Sequence, residues 1–320
     1  MPLNPEKFEL STPPQIERIL AANRPFILDG ASGSEMQSRG YDVSSSLWSA
    51  QLLIDEPDAL QALHLDYLQA GADCITTSSY QASMPALLER GFSLAELQSL
   101  FELSVSIAVA AREQFLQQQQ PPESKPLVAA SIGCFGAYLA DGSEYRGNYG
   151  VAREVLVDFH RQRLHWLDQS GADLIACETI PDLAEAEVLA ELLRSTNTPA
   201  WVSFSCADGA HLHDGSRIET MAELFNQHPG VFALGINCTA PGFIDDLVIK
   251  LKSRVPDKLI LVYPNSGEQY DAEHKCWQRQ ESPQQWLALV EKWHGLGADM
   301  IGGCCRIGPE QIQTIANRYK

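Results

Sequence analysis

The triplet Gly-Ala-Asp occurs three times in this chain, opening at Gly71, Gly171 and Gly297. Each copy stands where a stretch with helical spacing gives way to a short apolar run. Glycine ends a helix readily because it takes the left-handed backbone conformation without steric cost. The copies therefore mark a repeated helix-to-strand junction, and a repeated βα unit restricts the fold more than any other feature here. Eight apolar runs predict strands: 25–30, 72–77, 127–133, 172–179, 200–205, 231–237, 258–265 and 298–303. Between them lie stretches of helical periodicity, roughly 50–69, 94–116, 151–169, 183–194, 219–227, 242–253, 284–295 and 309–318. Eight such units predict an α/β fold, a single-domain (β/α)8 barrel of the TIM type, over an open doubly wound sheet.

Residues 1–24 precede the first strand and read as an N-terminal extension packing on the barrel, with residues 25–320 forming the barrel domain. The low-complexity stretch 117–126, "QQQQPPESKP", falls between the second helix and the third strand. It reads as a solvated loop on the face away from the strand C-termini.

Charge narrows the partners. With 23 basic and 41 acidic residues the formal net charge is −18. Affinity for nucleic acid or an anionic membrane surface comes from clustered Lys and Arg, so neither is expected. The first ten residues lack a basic start followed by an apolar core, and no run resembles a membrane span. The chain reads as cytoplasmic. Its eight cysteines then read as reduced thiols: core residues, metal ligands or nucleophiles.

Barrel chemistry gathers where strands end. Those ends carry Asp29-Gly30-Ala31, Thr76-Thr77, Ser131, Glu178-Thr179, Asn237-Cys238, Asn265-Ser266 and Cys304-Cys305. The sixth and eighth strands lie one apart around a barrel, so Cys238 can reach the adjacent pair Cys304 and Cys305. Neighbouring residues of an extended strand point to opposite faces. Both thiols can meet one ion only if the chain curls, and Gly302 and Gly303 would permit that. Three thiolates favour zinc, with a fourth position left open. Cys74, Cys134, Cys177, Cys206 and Cys276 read as packing residues. The histidines of "HLHDG" (211–215) read as a solvated loop rather than as ligands.

Taken together, the motifs "ILDGASGSEM" (27–36), "SSLWSA" (45–50), "AYLADGSEYRG" (137–147), "CETIPDLAE" (177–185), "GINC" (235–238), "VYPNSGEQYD" (262–271) and "GGCCR" (302–306) carry a resemblance. The chain resembles the homocysteine S-methyltransferase family over roughly residues 20–315. Two of the loops are similar to the branch that takes methyl from S-methylmethionine. One departure is Ser44–Ser46, where an aspartate often precedes "SLW". The resemblance implies a zinc ion on Cys238, Cys304 and Cys305 and homocysteine as acceptor. It also implies S-methylmethionine as donor, with S-adenosylmethionine a weaker substitute.

Substrate chemistry then suggests roles. The ammonium of homocysteine calls for a buried carboxylate, and Glu178 or Asp29 would serve. Its carboxylate calls for backbone N–H groups, which the turn at Gly30 and Ala31 offers. Asn237 would orient substrate or support Cys238 beside it, or else bond the barrel rim. A donor pocket is expected from Tyr138, Glu144, Tyr145, Asn265, Ser266 and Glu268, since aromatic faces and carboxylates attract a sulfonium. An all-sulfur ligand set weakens zinc as a Lewis acid and keeps a bound fourth sulfur nucleophilic, which suits alkyl transfer. A zinc hydrolase and a thiol redox-sensing barrel are the alternatives. The oligomeric state is left open.

Overall fold

Strands covered on both faces read as unbroken apolar runs, and all eight runs do form strands. The computed structural model describes residues 12–43, 49–118, 125–267, 269–271, 276–278 and 283–320. The strands are β1 (Phe26–Ile27), β2 (Cys74–Thr76), β3 (Leu127–Gly133), β4 (Leu174–Ile180), β5 (Ala200–Phe204), β6 (Val231–Asn237), β7 (Leu259–Tyr263) and β8 (Met300–Ile301). All pair in parallel, in the order β1-β8-β7-β6-β5-β4-β3-β2. A parallel bridge between Leu28 and Cys74 joins the two ends, so the sheet is a (β/α)8 barrel.

The Gly-Ala-Asp repeat has one physical job in all three places. Its glycines have φ of 102°, 83° and 109°, the left-handed values that end the preceding helix. Its aspartates then clamp the strand before. Asp73 accepts the N–H of Ile27 at 2.9 Å and is paired with Arg24. Asp173 accepts from Val128 at 2.9 Å and pairs with Arg112. Asp299 accepts from Ile260 at 2.9 Å and lies 3.4 Å from Lys252. The repeat thus registers β1, β3 and β7 against their neighbours at the N-terminal face, the end of a barrel that serves stability. Replacing Asp173 by Asn keeps an acceptor for Val128 but removes the closer counter-charge of the buried Arg112 guanidinium, leaving Glu113 at 3.6 Å. The expected cost is about 3 kcal/mol, read as a lower urea midpoint; an unchanged midpoint would show that the pair adds nothing.

Strand parity divides the core. Phe26, Leu28, Cys74, Leu127, Ala129, Leu174, Ala176, Trp201, Ala233, Leu261, Tyr263 and Met300 fill the barrel interior as one cluster. The alternate residues Ile27, Ile75, Val128, Ile175, Val202, Leu234, Ile260 and Ile301 face the helices. Ile16 and Ile19, from the helix Pro14–Ala21, bury themselves with the interior set. Continued by twos toward the strand C-termini, the interior positions become Thr76, Ser131, Glu178, Ser203, Asn237 and Tyr263. The interior therefore turns polar at one end, and that end holds the cavity.

Several elements differ from expectation. The helix expected over 50–69 is two, Ser49–Asp55 and Pro57–Gln69, since proline is favoured at a helix start. The helix Leu94–Gln118 is long and apolar enough to span a membrane by composition, contrary to the sequence reading. Its residues Leu97, Phe101, Val105, Ala108 and Phe115 are instead buried within the main core cluster. Short helices at Gly33–Ser38, Met84–Glu89 and Phe135–Leu139 and the hairpin Gln269–Asp271/Cys276–Gln278 carry no clear periodicity and were not expected. Residues 119–124 of the low-complexity stretch lie outside the described residues.

Candidate active site

A cavity of about 430 Å³ opens at the C-terminal end of the barrel. It is lined by Asp29, Thr76, Thr77, Ser131, Glu144, Tyr145, Glu178, Asn237, Tyr263 and all three cysteines of the expected trio. The sulfurs of Cys238, Cys304 and Cys305 lie within 4.8 Å of one another. Cys304 Sγ stands 4.0 Å from Cys305 Sγ. Sulfurs on a tetrahedral zinc stand about 3.8 Å apart, so the donor set fits that ion by type and spacing once the thiols are free. Cys238 and Cys304 lie side by side, with Cα atoms 5.5 Å apart. Two residues that suit metal are thus also close enough to bond each other on oxidation, and metal requires them as thiolates.

The chain curls as expected, but not by the expected means. Gly302 and Gly303 have no left-handed backbone; the positive φ values fall on Cys238 (47°) and Arg306 (67°). The glycines are needed for close approach. A Cβ on Gly302 would lie 2.6 Å from the Asp29 carbonyl oxygen, and one on Gly303 would lie 2.1 Å from Ile307. The turn is held from both sides. Gly303 N–H donates to Asp29 O at 3.1 Å, Cys304 N–H to Pro264 O at 2.8 Å and Ser266 N–H to Cys305 O at 3.1 Å.

Two buried carboxyls, Asp29 and Glu178, line the cavity. Glu178 accepts a short hydrogen bond from Ser131 Oγ. Burial pushes its pKa up to about 7, with the hydroxyls of Ser131 and Tyr263 opposing the shift. The Tyr263 hydroxyl also contacts Ser203 Oγ and accepts from Trp201 Nε1 at 3.2 Å, so a buried polar chain orients Glu178. Glu178 does not cap the helix that follows; Asp182 does, accepting from Glu185 N–H at 3.2 Å. Asp29 accepts from Thr76 N–H at 2.7 Å and from the Thr76 hydroxyl at 3.0 Å. Burial raises its pKa to about 8, and the Glu178 charge adds to the shift.

Other expected residues are placed differently. The Ala31 N–H donates to Ile307 O at 2.9 Å, so it is not offered to a substrate anion. A Cβ on Gly30 would meet the same Ile307 oxygen at 2.2 Å, which is why that turn needs glycine. Asn237 lines the cavity, but its amide is occupied: Oδ1 accepts from Thr179 N–H at 2.8 Å and Nδ2 donates to Thr179 Oγ1 at 2.7 Å. It holds Thr179 at a φ of 61°, between β4 and β6.

The expected donor pocket divides. Glu144 and Tyr145 line the cavity. Burial raises the Glu144 pKa, and its Oε2 has no hydrogen-bond partner among the described residues. Tyr138 does not line the cavity. Its ring packs 5.5 Å from Phe135 and 5.7 Å from Phe159, in a separate apolar cluster. Asn265 and Ser266 also lie outside the cavity lining and brace the turn, Asn265 N–H donating to Thr239 O at 3.1 Å. Glu268 and Ser44–Ser46 lie outside the described residues. Cys74, Cys134, Cys177 and Cys206 are buried free thiols, as expected of packing residues. Of the lining residues, Thr76, Thr77, Ser131 and Asn237 stand at the strand ends singled out from sequence, and Tyr263 follows from continuing strand parity. Tyr80 and Gln81 had no such signal.

Among the described residues no Lys or Arg lines the cavity, whereas Asp29, Glu144 and Glu178 do. The cavity thus favours cationic groups. The family model described as Homocysteine S-methyltransferase matches residues 26–319. Homocysteine S-methyltransferase YbgG of Bacillus subtilis is 47% identical over 304 residues, covering 94% of this chain and 96% of that protein. Homocysteine S-methyltransferase 2 of Zea mays is 45% identical, over 92% of this chain and 90% of that one. The crystal structure of the homocysteine methyltransferase MmuM from Escherichia coli in its metallated form superposes with a TM-score of 0.85 at 39% identity, covering 95% of this chain and 99% of that one. The oxidized form of the same protein gives a TM-score of 0.85.

Proposed function

Because this chain belongs to the homocysteine S-methyltransferase family, we propose that it methylates homocysteine on a zinc site formed by Cys238, Cys304 and Cys305, with S-methylmethionine as donor. The convergence of three sulfurs within 4.8 Å beside two buried carboxyls carries this reading. Bound there, zinc would hold the homocysteine sulfur as a thiolate, the nucleophilic form of a thiol. Glu178 takes the homocysteine ammonium, oriented by Ser131 and Tyr263. The hydroxyls of Ser32 and Ser78, 3.1 Å apart beside the same turn, stand in for the backbone donor that Ala31 has spent.

The methyl carbon passes from the sulfonium sulfur of the donor to the sulfur of homocysteine. The breaking C–S bond leaves its electron pair on the donor sulfur, so a cation and a thiolate become two neutral thioethers. No proton need move at the reacting atoms, and the site's task is alignment. The acidic cavity suits a sulfonium and repels an anionic folate, and Glu144 with Tyr145 faces the space the donor would fill. Charge fades as the methyl transfers, so tight binding of the cation would slow the reaction. Modest donor affinity is therefore expected.

The test is methionine formation from homocysteine with S-methylmethionine, S-adenosylmethionine, betaine or methyltetrahydrofolate in parallel. S-methylmethionine should give the highest kcat/KM, with S-adenosylmethionine next. A preference for betaine would overturn the donor assignment.

A further inference from the structure

The acidic residues that line the cavity differ in what already occupies them. Asp29 is committed to Thr76, accepting its N–H at 2.7 Å and its hydroxyl at 3.0 Å. Glu178 accepts from Ser131 Oγ and, on the reading above, takes the homocysteine ammonium. Glu144 has a buried Oε2 with no hydrogen-bond partner among the described residues. Gln81, also in the lining, has a buried Oε1 in the same condition. Among the described lining residues these two alone leave a buried side-chain oxygen or nitrogen unpaired. A buried acceptor without a donor is costly, so two of them in one cavity point to a ligand that brings N–H groups.

Both residues are held against the same segment of backbone, 133–136. Gly133 N–H donates to the carbonyl of Tyr80, beside Gln81, at 3.2 Å. The buried Arg163 guanidinium donates to Gly133 O at 3.2 Å and to Tyr80 O at 3.3 Å, clamping the two together. Three residues on, a Cβ at Gly136 would lie 2.5 Å from Glu144 N, so the turn that carries Glu144 sits directly on this backbone. That turn is tied internally as well. Ser143 N–H donates to Asp141 Oδ1 at 3.0 Å, and the N–H groups of Arg146 and Gly147 reach Ser143 O at 3.0 and 2.9 Å.

We propose that Glu144 and Gln81 form a subsite for the α-ammonium of the methyl donor, so that the donor must be the sulfonium of an amino acid. The inference rests on the reading of the protein as a sulfonium-dependent methyltransferase. An ammonium carries three N–H donors and no acceptor, which is what the two oxygens lack. A sulfonium carries charge without an N–H and meets neither need. S-methylmethionine and S-adenosylmethionine both bring the ammonium; betaine does not. The ammonium keeps its charge while the sulfonium loses its own, so the subsite binds ground state and transition state alike and acts on KM more than on kcat.

The experiment compares S-methylmethionine with 4-(dimethylsulfonio)butanoate, the same molecule with hydrogen in place of the ammonium. Loss of the homocysteine thiol is followed in the zinc-loaded full-length protein. Wild-type kcat/KM should favour S-methylmethionine at least about 100-fold. Glu144→Gln should lower kcat/KM for S-methylmethionine about 30- to 100-fold, mainly through the donor KM, and the preference between donors should collapse. Gln81→Met keeps the length, loses the carbonyl, and should lower the preference about tenfold. Wild-type protein that uses both sulfoniums equally well overturns the proposal and leaves the donor reading intact. So does a folded Glu144→Gln variant that keeps the wild-type preference, or one whose loss falls on the KM for homocysteine. Should Glu144→Gln fail to fold, an unchanged preference in Gln81→Met overturns it instead. Methyl transfer from neither sulfonium overturns the donor reading and the proposal together.

Discussion

Replacing Cys305 by serine should lower bound zinc from about one ion per chain to a small fraction of that and reduce methionine formation at least about 100-fold. Cys304→Ser and Cys238→Ser should behave alike, because on the proposed zinc site each sulfur would supply one of three ligands and a hydroxyl is a poor substitute for a thiolate on zinc. The barrel should survive. Cys304 packs against the edge of the interior cluster, but the bulk of that cluster and of the helix-facing one is supplied by other strand and helix residues, and the aspartate clamps sit at the opposite end of the strands. Elemental analysis, turnover and thermal melting on the same samples check the three parts. A Cys305→Ser protein with full zinc and full turnover would remove the ligand assignment.

Glu178→Gln should raise the KM for homocysteine by roughly a hundred- to a few-thousand-fold, the equivalent of about 3–5 kcal/mol for breaking a buried charge pair. The rate at saturation should fall far less, because the ammonium lies away from the reacting sulfur. The pH dependence gives a second mark. Burial lifts the Glu178 carboxyl to about 7 in the empty site, so the carboxylate is progressively lost as pH falls below that value. The homocysteine ammonium stays charged throughout this range. Homocysteine binding should therefore weaken as pH drops from about 8 to about 6, and the Gln variant should lack that part of the slope. Whatever slope remains belongs to other groups, Asp29 with its pKa near 8 foremost. A Gln variant with the original KM would assign the ammonium to another partner.

The features that the sequence determined are those written in short-range pattern. A strand buried on both faces must be an apolar run, and a helix lying on such a strand must repeat its apolar residues every three or four positions. The eight units, their junctions at Gly71, Gly171 and Gly297, and the placing of chemistry at strand ends all follow from that. Cys238, Cys304 and Cys305 were legible because a barrel fixes how far apart its strand ends lie. What the tertiary structure decided is which partner each polar group meets. Asn237 looked free to meet substrate, yet Thr179, 58 residues away, takes its amide. Ala31 looked like an anion donor, yet Ile307 takes its N–H. Tyr138 and Tyr145 share one stretch of chain and one side-chain chemistry, yet packing against Phe135 and Phe159 takes the first out of the cavity while the second, its ring against His213, lines it. Periodicity is a property of neighbours along the chain, whereas a hydrogen bond is satisfied by whatever the fold brings within about 3 Å, and that choice is made only when the loops have closed.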